Sequence, residues 1–152
     1  CSVNENFHAY GVATHRHTPE IEQIYSEFAG EDVVIQFTPH LLPVDRGILA
    51  TCYAMLKPGV TDADVENAFK KMYGGEFFIR LLGKGACPEI KNIRVSNYVD
   101  IGWQTDARTG RVIVMSALDN LVKGAAGQAV QNMNVMFGID ETTGLRQLPV
   151  YP

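Results

Sequence analysis

Cysteine is scarce in this chain and poorly placed for structural chemistry. Cys1, Cys52 and Cys87 are odd in number, far apart and in no Cys-x-x-Cys pair. Neither a disulfide framework nor a zinc knuckle is indicated, and a reducing compartment is the simpler inference. Long apolar runs are missing too: none nears the roughly 20 residues of a membrane span. The opening Cys1-Ser2-Val3-Asn4-Glu5-Asn6 has none of the charged and apolar regions of a signal peptide. Basic blocks are absent. With 13 Lys and Arg against 17 Asp and Glu, a net charge of −4 argues against nucleic acid or an anionic membrane surface as the main partner, while leaving room for a local phosphate site. There are no repeats and no low-complexity tracts. What remains is an ordinary globular composition, 152 residues with 46% hydrophobic and 20% charged, that suits one domain with a real core in a soluble, intracellular protein.

Against that background one stretch is dense with chemistry. Thr14-His15-Arg16-His17-Thr18-Pro19-Glu20-Ile21 puts two imidazoles, a guanidinium and a carboxylate into six residues. Thr18 suits an N-cap and Pro19 a first helical position, while Ile21, Ile24, Tyr25 and Phe28 follow at helical spacing. The cluster therefore falls at a helix N-terminus, where unpaired N–H groups and partial positive charge attract anions and favour a neutral, proton-accepting imidazole. Acid/base work beside an anionic substrate is the chemistry suggested. Two other readings stand beside it: a His-x-His metal site, for which His8 and His40 are further candidates in number only, and a surface cluster of the kind that helix starts collect.

The remaining pattern alternates strands and helices. Residues 7–13 read as a strand running into the cluster, and helix 18–29 stops at Gly30. Residues 32–38 form a β-branched run read as a buried strand, 39–47 a proline-containing loop, and 48–57 a long strand. Thr61 and Asp64 make a capping pair that opens a helix at 61–73, with Val65, Ala68, Phe69 and Met72 as its buried stripe and Gly74-Gly75 as its stop. Residues 77–82 return as a strand, 83–97 form a loop, and 99–105 with 111–117 make a hairpin. A last helix spans 119–137, with Asp119 as a possible N-cap. Gly124 and Gly127 lower its propensity, which suggests a close approach to the backbone, plain helix-on-sheet packing being the alternative. The sum is an α+β fold with a mixed, largely antiparallel sheet and helices packed on one face.

Three motifs carry a resemblance. His15-Arg16-His17-Thr18-Pro19-Glu20-Ile21, then Phe37-Thr38-Pro39-His40-Leu41 with Arg46-Gly47-Ile48, then Asp119-Asn120-Leu121-Val122-Lys123-Gly124-Ala125-Ala126-Gly127-Gln128-Ala129 stand in an order and spacing that resemble the N-acetyl-gamma-glutamyl-phosphate reductase family, over nearly the whole chain. The resemblance implies a fold like the C-terminal domain of glyceraldehyde-3-phosphate dehydrogenase-like enzymes, and residues 144–152 look like a native C-terminus. It also implies a missing partner. The family's Gly-rich nucleotide-binding turn and its Asn-Pro-Gly-Cys-Tyr nucleophile do not occur here, so the chain looks like a piece cut from a longer one: residues 1–152 as a single substrate-binding and dimerising domain, with helix 119–137 packing against an N-terminal NADP-binding domain that lies elsewhere.

By that resemblance the full-length protein reduces N-acetyl-gamma-glutamyl phosphate to the semialdehyde and phosphate with NADPH, in the cytoplasm and in arginine biosynthesis. The implied catalytic base is His17. His15, Arg16 and Glu20 orient it or hold substrate, and Arg46 suits a carboxylate or phosphate, an ordinary loop salt bridge being its alternative. Asn120 and Gly124 approach the nicotinamide, with plain capping and packing as the alternative there. NADP is held mainly by the N-terminal domain, the expected partners are a small acyl phosphate and that domain, and the oligomer is a homodimer or homotetramer. Two functions of other classes compete: a metal-dependent hydrolase using His15 and His17, and a non-enzymatic dimerisation domain.

Overall fold

The computed structural model describes residues 4–150, which form two compact units, one up to Asp45 and one from Arg46 onward. The first unit holds a small antiparallel ribbon, β1 (His8–Ala9) on β2 (His40–Leu41), and the helix α1 (Thr18–Ala29). Helix α1 ends as its sequence predicts. Gly30 adopts φ +71° and donates its N–H to Ser26 O, the left-handed stop that a glycine makes without steric cost.

Three expectations for this unit are corrected. The strand read over 7–13 lasts two residues, because Tyr10 N–H turns to Pro39 O and the chain then bends through Gly11 and Ala13, both at φ +57°. Thr18 is not the cap. Its N–H already serves a turn from His15 O, His17 occupies the N-cap position, and Thr18 Oγ1 finds no partner. Residues 32–38 are not a strand either: Val33 N–H goes to Ser26 Oγ (2.9 Å) and Ile35 N–H to Glu22 Oε1 (3.0 Å), so side chains of α1 take donors that a ladder would have used. Nor is the run buried, since Val34 is 86% exposed.

The second unit is built on a four-stranded sheet, β3 (Ile48–Met55), β6 (Arg111–Leu118), β5 (Val99–Asp106) and β4 (Ile79–Lys84) in that spatial order. The hairpin β5–β6 pairs Asp106 with Arg111 and β3 runs antiparallel to β6, whereas β4 runs parallel to β5. The α+β class and the mixed, largely antiparallel sheet therefore hold. Helix α2 (Asp62–Tyr73) starts on the predicted capping box: Asp64 N–H donates to Thr61 Oγ1 and Thr61 N–H to Asp64 Oδ2. Asp62, the first helical residue, reaches Lys84 on β4 and Thr105 Oγ1 on β5, and Phe69 stacks on Trp103 at 6.4 Å. That docking covers Val65 and Phe69 only in part. Ala68 and Met72, read as part of the same buried stripe, stay exposed.

The core lies along β5, where Val99, Ile101 and Trp103 are buried with Phe78, Ile93, Ala117 and Leu145. Strand β3, at the sheet edge, is mostly bare: Leu49, Tyr53 and Met55 are more than half exposed. The predicted last helix is two pieces, a wide π-turn at Val122–Ala126 and α3 (Gly127–Met136). Five-residue bonds, Gly124 N–H to Asp119 O and Ala126 N–H to Leu121 O, widen the turn. Among the described residues, no helix is long and apolar enough to cross a membrane.

Candidate functional site

Each unit carries one cluster of the residues singled out from the sequence. In the first, turns at 11–14 and 15–18, not a strand end, present the histidines. The His15 and His17 rings meet edge-on at 4.9 Å, and His17 N–H donates to His15 Nδ1 (3.2 Å). That bond ties the His15 ring to the backbone of the turn that carries His17. Phe37 at 5.2 Å and Tyr10 at 5.4 Å wall the same ring. A Cβ on Gly11 would lie 3.0 Å from His15 Cδ2 at a backbone φ of +57°, so a larger residue there is strained and presses on the ring. His17, Arg16 and Glu20 are exposed, and among the described residues the ring nitrogens of His17 have no hydrogen bond. An imidazole placed so can take or give a proton. Among the described residues no three His, Cys, Asp or Glu side chains converge on a metal-sized point, so the His-x-His pair finds no third ligand.

The second cluster joins Arg46 to Asp119 and Gly47 to Asn120, each across 73 residues of sequence. Arg46 Nη1 donates to Asp119 Oδ2 at 3.1 Å, and Gly47 N–H donates to Asn120 Oδ1 at 2.8 Å. Gly47 sits at φ +114°, and a Cβ there would lie 2.7 Å from Ile90 Cβ, so no larger residue fits. Asp119 also accepts Val95 N–H (2.7 Å) at Oδ2, and Leu121 N–H (2.8 Å) and Val122 N–H (3.0 Å) at Oδ1. Burial alone would raise the Asp119 carboxyl, but the Val95 and Leu121 N–H groups, the Arg46 guanidinium and the Val122 N–H outweigh it and hold it below the usual carboxylate range.

Lys123, in the π-turn, bonds Gln131 Oε1 at 2.7 Å and lies 5.5 Å above the Phe78 ring. Burial pulls its ammonium below the usual lysine range in spite of Glu141 and Glu76 nearby. Gly124 is exposed, and a Cβ on it would make ordinary contacts, to Leu118 Cδ1 at 3.4 Å, Asp119 O at 3.5 Å and Asn120 Cβ at 3.9 Å. Gly127 is where the backbone is closely approached: a Cβ would fall 2.4 Å from Asn97 Oδ1. Sequence reasoning gave Asp119 only a capping role and did not single out Val95. No local signal connects either residue to Arg46, and a carboxylate directly before Asn120 was the one available hint. Cys52 and Cys87 are free and exposed, burial of Cys52 still being enough to raise its thiol, and Cys1 lies outside the described residues.

Residues 1–120 match the family described as semialdehyde dehydrogenase, dimerisation domain. The chain is 54% identical over 152 residues to the N-acetyl-gamma-glutamyl-phosphate reductase of Lachnoclostridium phytofermentans, covering 100% of this chain and 44% of that protein. It is 58% identical to the reductase of that name from Symbiobacterium thermophilum (99% and 44% covered). With the one from Geobacter metallireducens the identity is 56% (100% and 44% covered). The chain thus spans less than half the length of these curated relatives. Among solved structures, aspartate semialdehyde dehydrogenase II from Vibrio cholerae superposes with a TM-score of 0.63 at 16% identity, covering 81% of this chain and 37% of that one, a likeness of fold.

Proposed function

The chain belongs to the semialdehyde dehydrogenase dimerisation-domain family, and from that premise we propose that it is the C-terminal, substrate-binding and dimerising part of a cytoplasmic, NADPH-dependent N-acetyl-gamma-glutamyl-phosphate reductase. The observation that carries this reading is the identity of more than half, running from end to end of the chain, to relatives of that name. In this proposal His17 is the base. It takes the proton of a cysteine thiol supplied by the N-terminal part, so that the thiolate attacks the acyl phosphate and phosphate leaves. Its free ring nitrogens suit that task, and the bond from its own N–H to His15 Nδ1 fixes the turn that presents it. Arg16, Glu20 and His15 hold substrate or orient the base.

Arg46 receives an anionic group of the substrate. Only its Nη1 is committed to Asp119, and the rest of its fork is available for a carboxylate or phosphate. The cofactor, held mainly by the N-terminal domain, would supply the hydride in its reduced form, NADPH. The residues here fit its nicotinamide end: Gly47 occupies Asn120 Oδ1 and leaves the Asn120 amide N–H free to donate, while Gly124 offers a bare backbone. The exposed apolar residues Val130, Met133 and Phe137 of the 119–137 segment are assigned to packing against the N-terminal domain, and the bare β3 edge of the sheet to contact within a homo-oligomer.

The test is reconstitution. This chain is mixed with the separately produced N-terminal domain, and phosphate-dependent NADP reduction from N-acetylglutamate semialdehyde is followed, beside the same assay on the intact enzyme carrying His17→Ala. Activity in the mixture but in neither part, together with a loss of at least about a hundredfold in kcat for His17→Ala, is the expected result. Wild-type turnover in the His17→Ala enzyme removes the base assignment.

A further inference from the structure

We infer that Asp119 is the positioning residue of the Arg46–Asn120 cluster, the group that sets the guanidinium and the π-turn in the one register in which both meet a ligand. The inference rests on the proposed function, which places a substrate anion at Arg46 and the nicotinamide beside Asn120. Asp119 does not itself touch ligand, because its side chain is 0% exposed. Its two oxygens instead divide their work. Oδ2 holds Arg46 and Val95, whereas Oδ1 holds the Leu121 and Val122 N–H groups and so fixes the start of the π-turn.

Arg46 is 30% exposed, and among the described residues it makes no hydrogen bond or ion pair other than that to Asp119. A planar guanidinium tethered at one nitrogen cannot swivel freely, so the tether decides where its remaining N–H edge points. On the other side, Asn120 follows Asp119 directly, and its Oδ1 is clamped by Gly47 N–H, next in sequence to Arg46. One buried carboxylate thus ties both binding elements to a common point.

Backbone strain is the independent sign. Val95 sits at φ +65°, a left-handed conformation that a β-branched residue adopts only where its surroundings force it. In that conformation its N–H makes a short bond, 2.7 Å long, to Asp119 Oδ2. Strain of this kind gathers at sites whose geometry is held for a purpose other than stability.

The experiment uses the full-length enzyme. Asp119→Asn keeps the size of the side chain and one oxygen, but removes the charge and turns an amide toward Arg46 or Val95. The expected result is a roughly ten- to hundredfold rise in KM for the acidic substrate, with a smaller change in kcat. Arg46→Gln should give a similar rise, and the double variant should be no worse than the worse single one. An Asp119→Asn enzyme with a lowered Tm but wild-type KM values would overturn the inference.

A Val95→Gly background guards against a variant that folds poorly, since glycine accepts a positive φ at no steric cost. If Val95→Gly restores both the Tm and the KM of Asp119→Asn, the carboxylate serves the fold alone and the inference fails. Restored Tm with KM still raised upholds it. Unchanged KM for Arg46→Gln would remove the proposed anion site and the inference with it, an outcome distinct from failure at Asp119 alone.

Discussion

Replacing Gly127 by Ala sets two physical effects against each other. Gly127 is the first residue of α3, and in a helix interior Ala is favoured over Gly by about 1 kcal/mol. The structure predicts the opposite sign. An added Cβ would lie 2.4 Å from Asn97 Oδ1, 2.7 Å from Val122 Cγ1 and 2.9 Å from Val122 O. Asn97 is fully buried and tied through Nδ2 to Gln131 Oε1 at 3.0 Å, and Val122 O is backbone, so neither yields cheaply. Overpacking of this kind costs about 1–3 kcal/mol and a broken Asn97–Gln131 bond about 1 more, leaving roughly 1–3 kcal/mol of net destabilisation after the helix gain. For a chain of this length that is a fall in Tm of roughly 3–10 °C, read by circular dichroism. Gly124→Ala is the matched control for stability, because its Cβ would meet nothing closer than 3.4 Å. It should keep or slightly raise Tm while impairing nicotinamide-dependent turnover in the full-length enzyme. A Gly127→Ala chain that melts at or above the wild-type temperature would refute the account of the π-turn junction.

Other outcomes follow from the same physics. Thr61→Ala removes one half of the capping box of α2 and should cost about 1 kcal/mol in chemical denaturation, with Ser at that position restoring most of it. The depressed Asp119 carboxyl contributes stability that is fully present above the ordinary carboxylate pKa of about 4 and is lost as pH falls through its lower folded value, because there the unfolded chain binds the proton more readily. Acid titration of stability should therefore be flatter for Asp119→Asn than for wild type, and parallel curves would contradict the assignment. With Met136 at 81% and Phe137 at 74% exposure, the isolated chain should associate in light scattering, and a clean, salt-insensitive monomer would contradict that.

Local signals in the sequence proved dependable where local physics decides. Gly30 stops α1, Thr61 and Asp64 start α2, and the hairpin 99–118 closes near the turn its residues suggest. Where distant groups decide, the sequence misleads. Residues 32–38 carry a strand's composition, yet Ser26 and Glu22 claim their backbone donors. The 119–137 run has a helix's composition, yet the five-residue bonds after Asp119 split it. The candidate site divides the same way. Arg46, Asn120 and the histidine cluster stood out as residue types in motifs, but that Asp119 joins Arg46 to Val95 and the π-turn depends on pairings 73 and 24 residues apart.

The placement of β3 at the sheet edge also sets a schedule for synthesis. Among the described residues its one ladder partner is β6, with Met55 opposite Arg111 and Ile48 opposite Leu118. A ribosome adding ~5–20 residues per second leaves β3 without that partner for roughly 3–13 s after it emerges. Throughout that interval Leu49, Tyr53 and Met55, exposed even in the finished sheet, form a sticky open template. The strand proposed for contact within the oligomer is therefore also the one, among the described strands, whose ladder partner lies farthest from it along the chain.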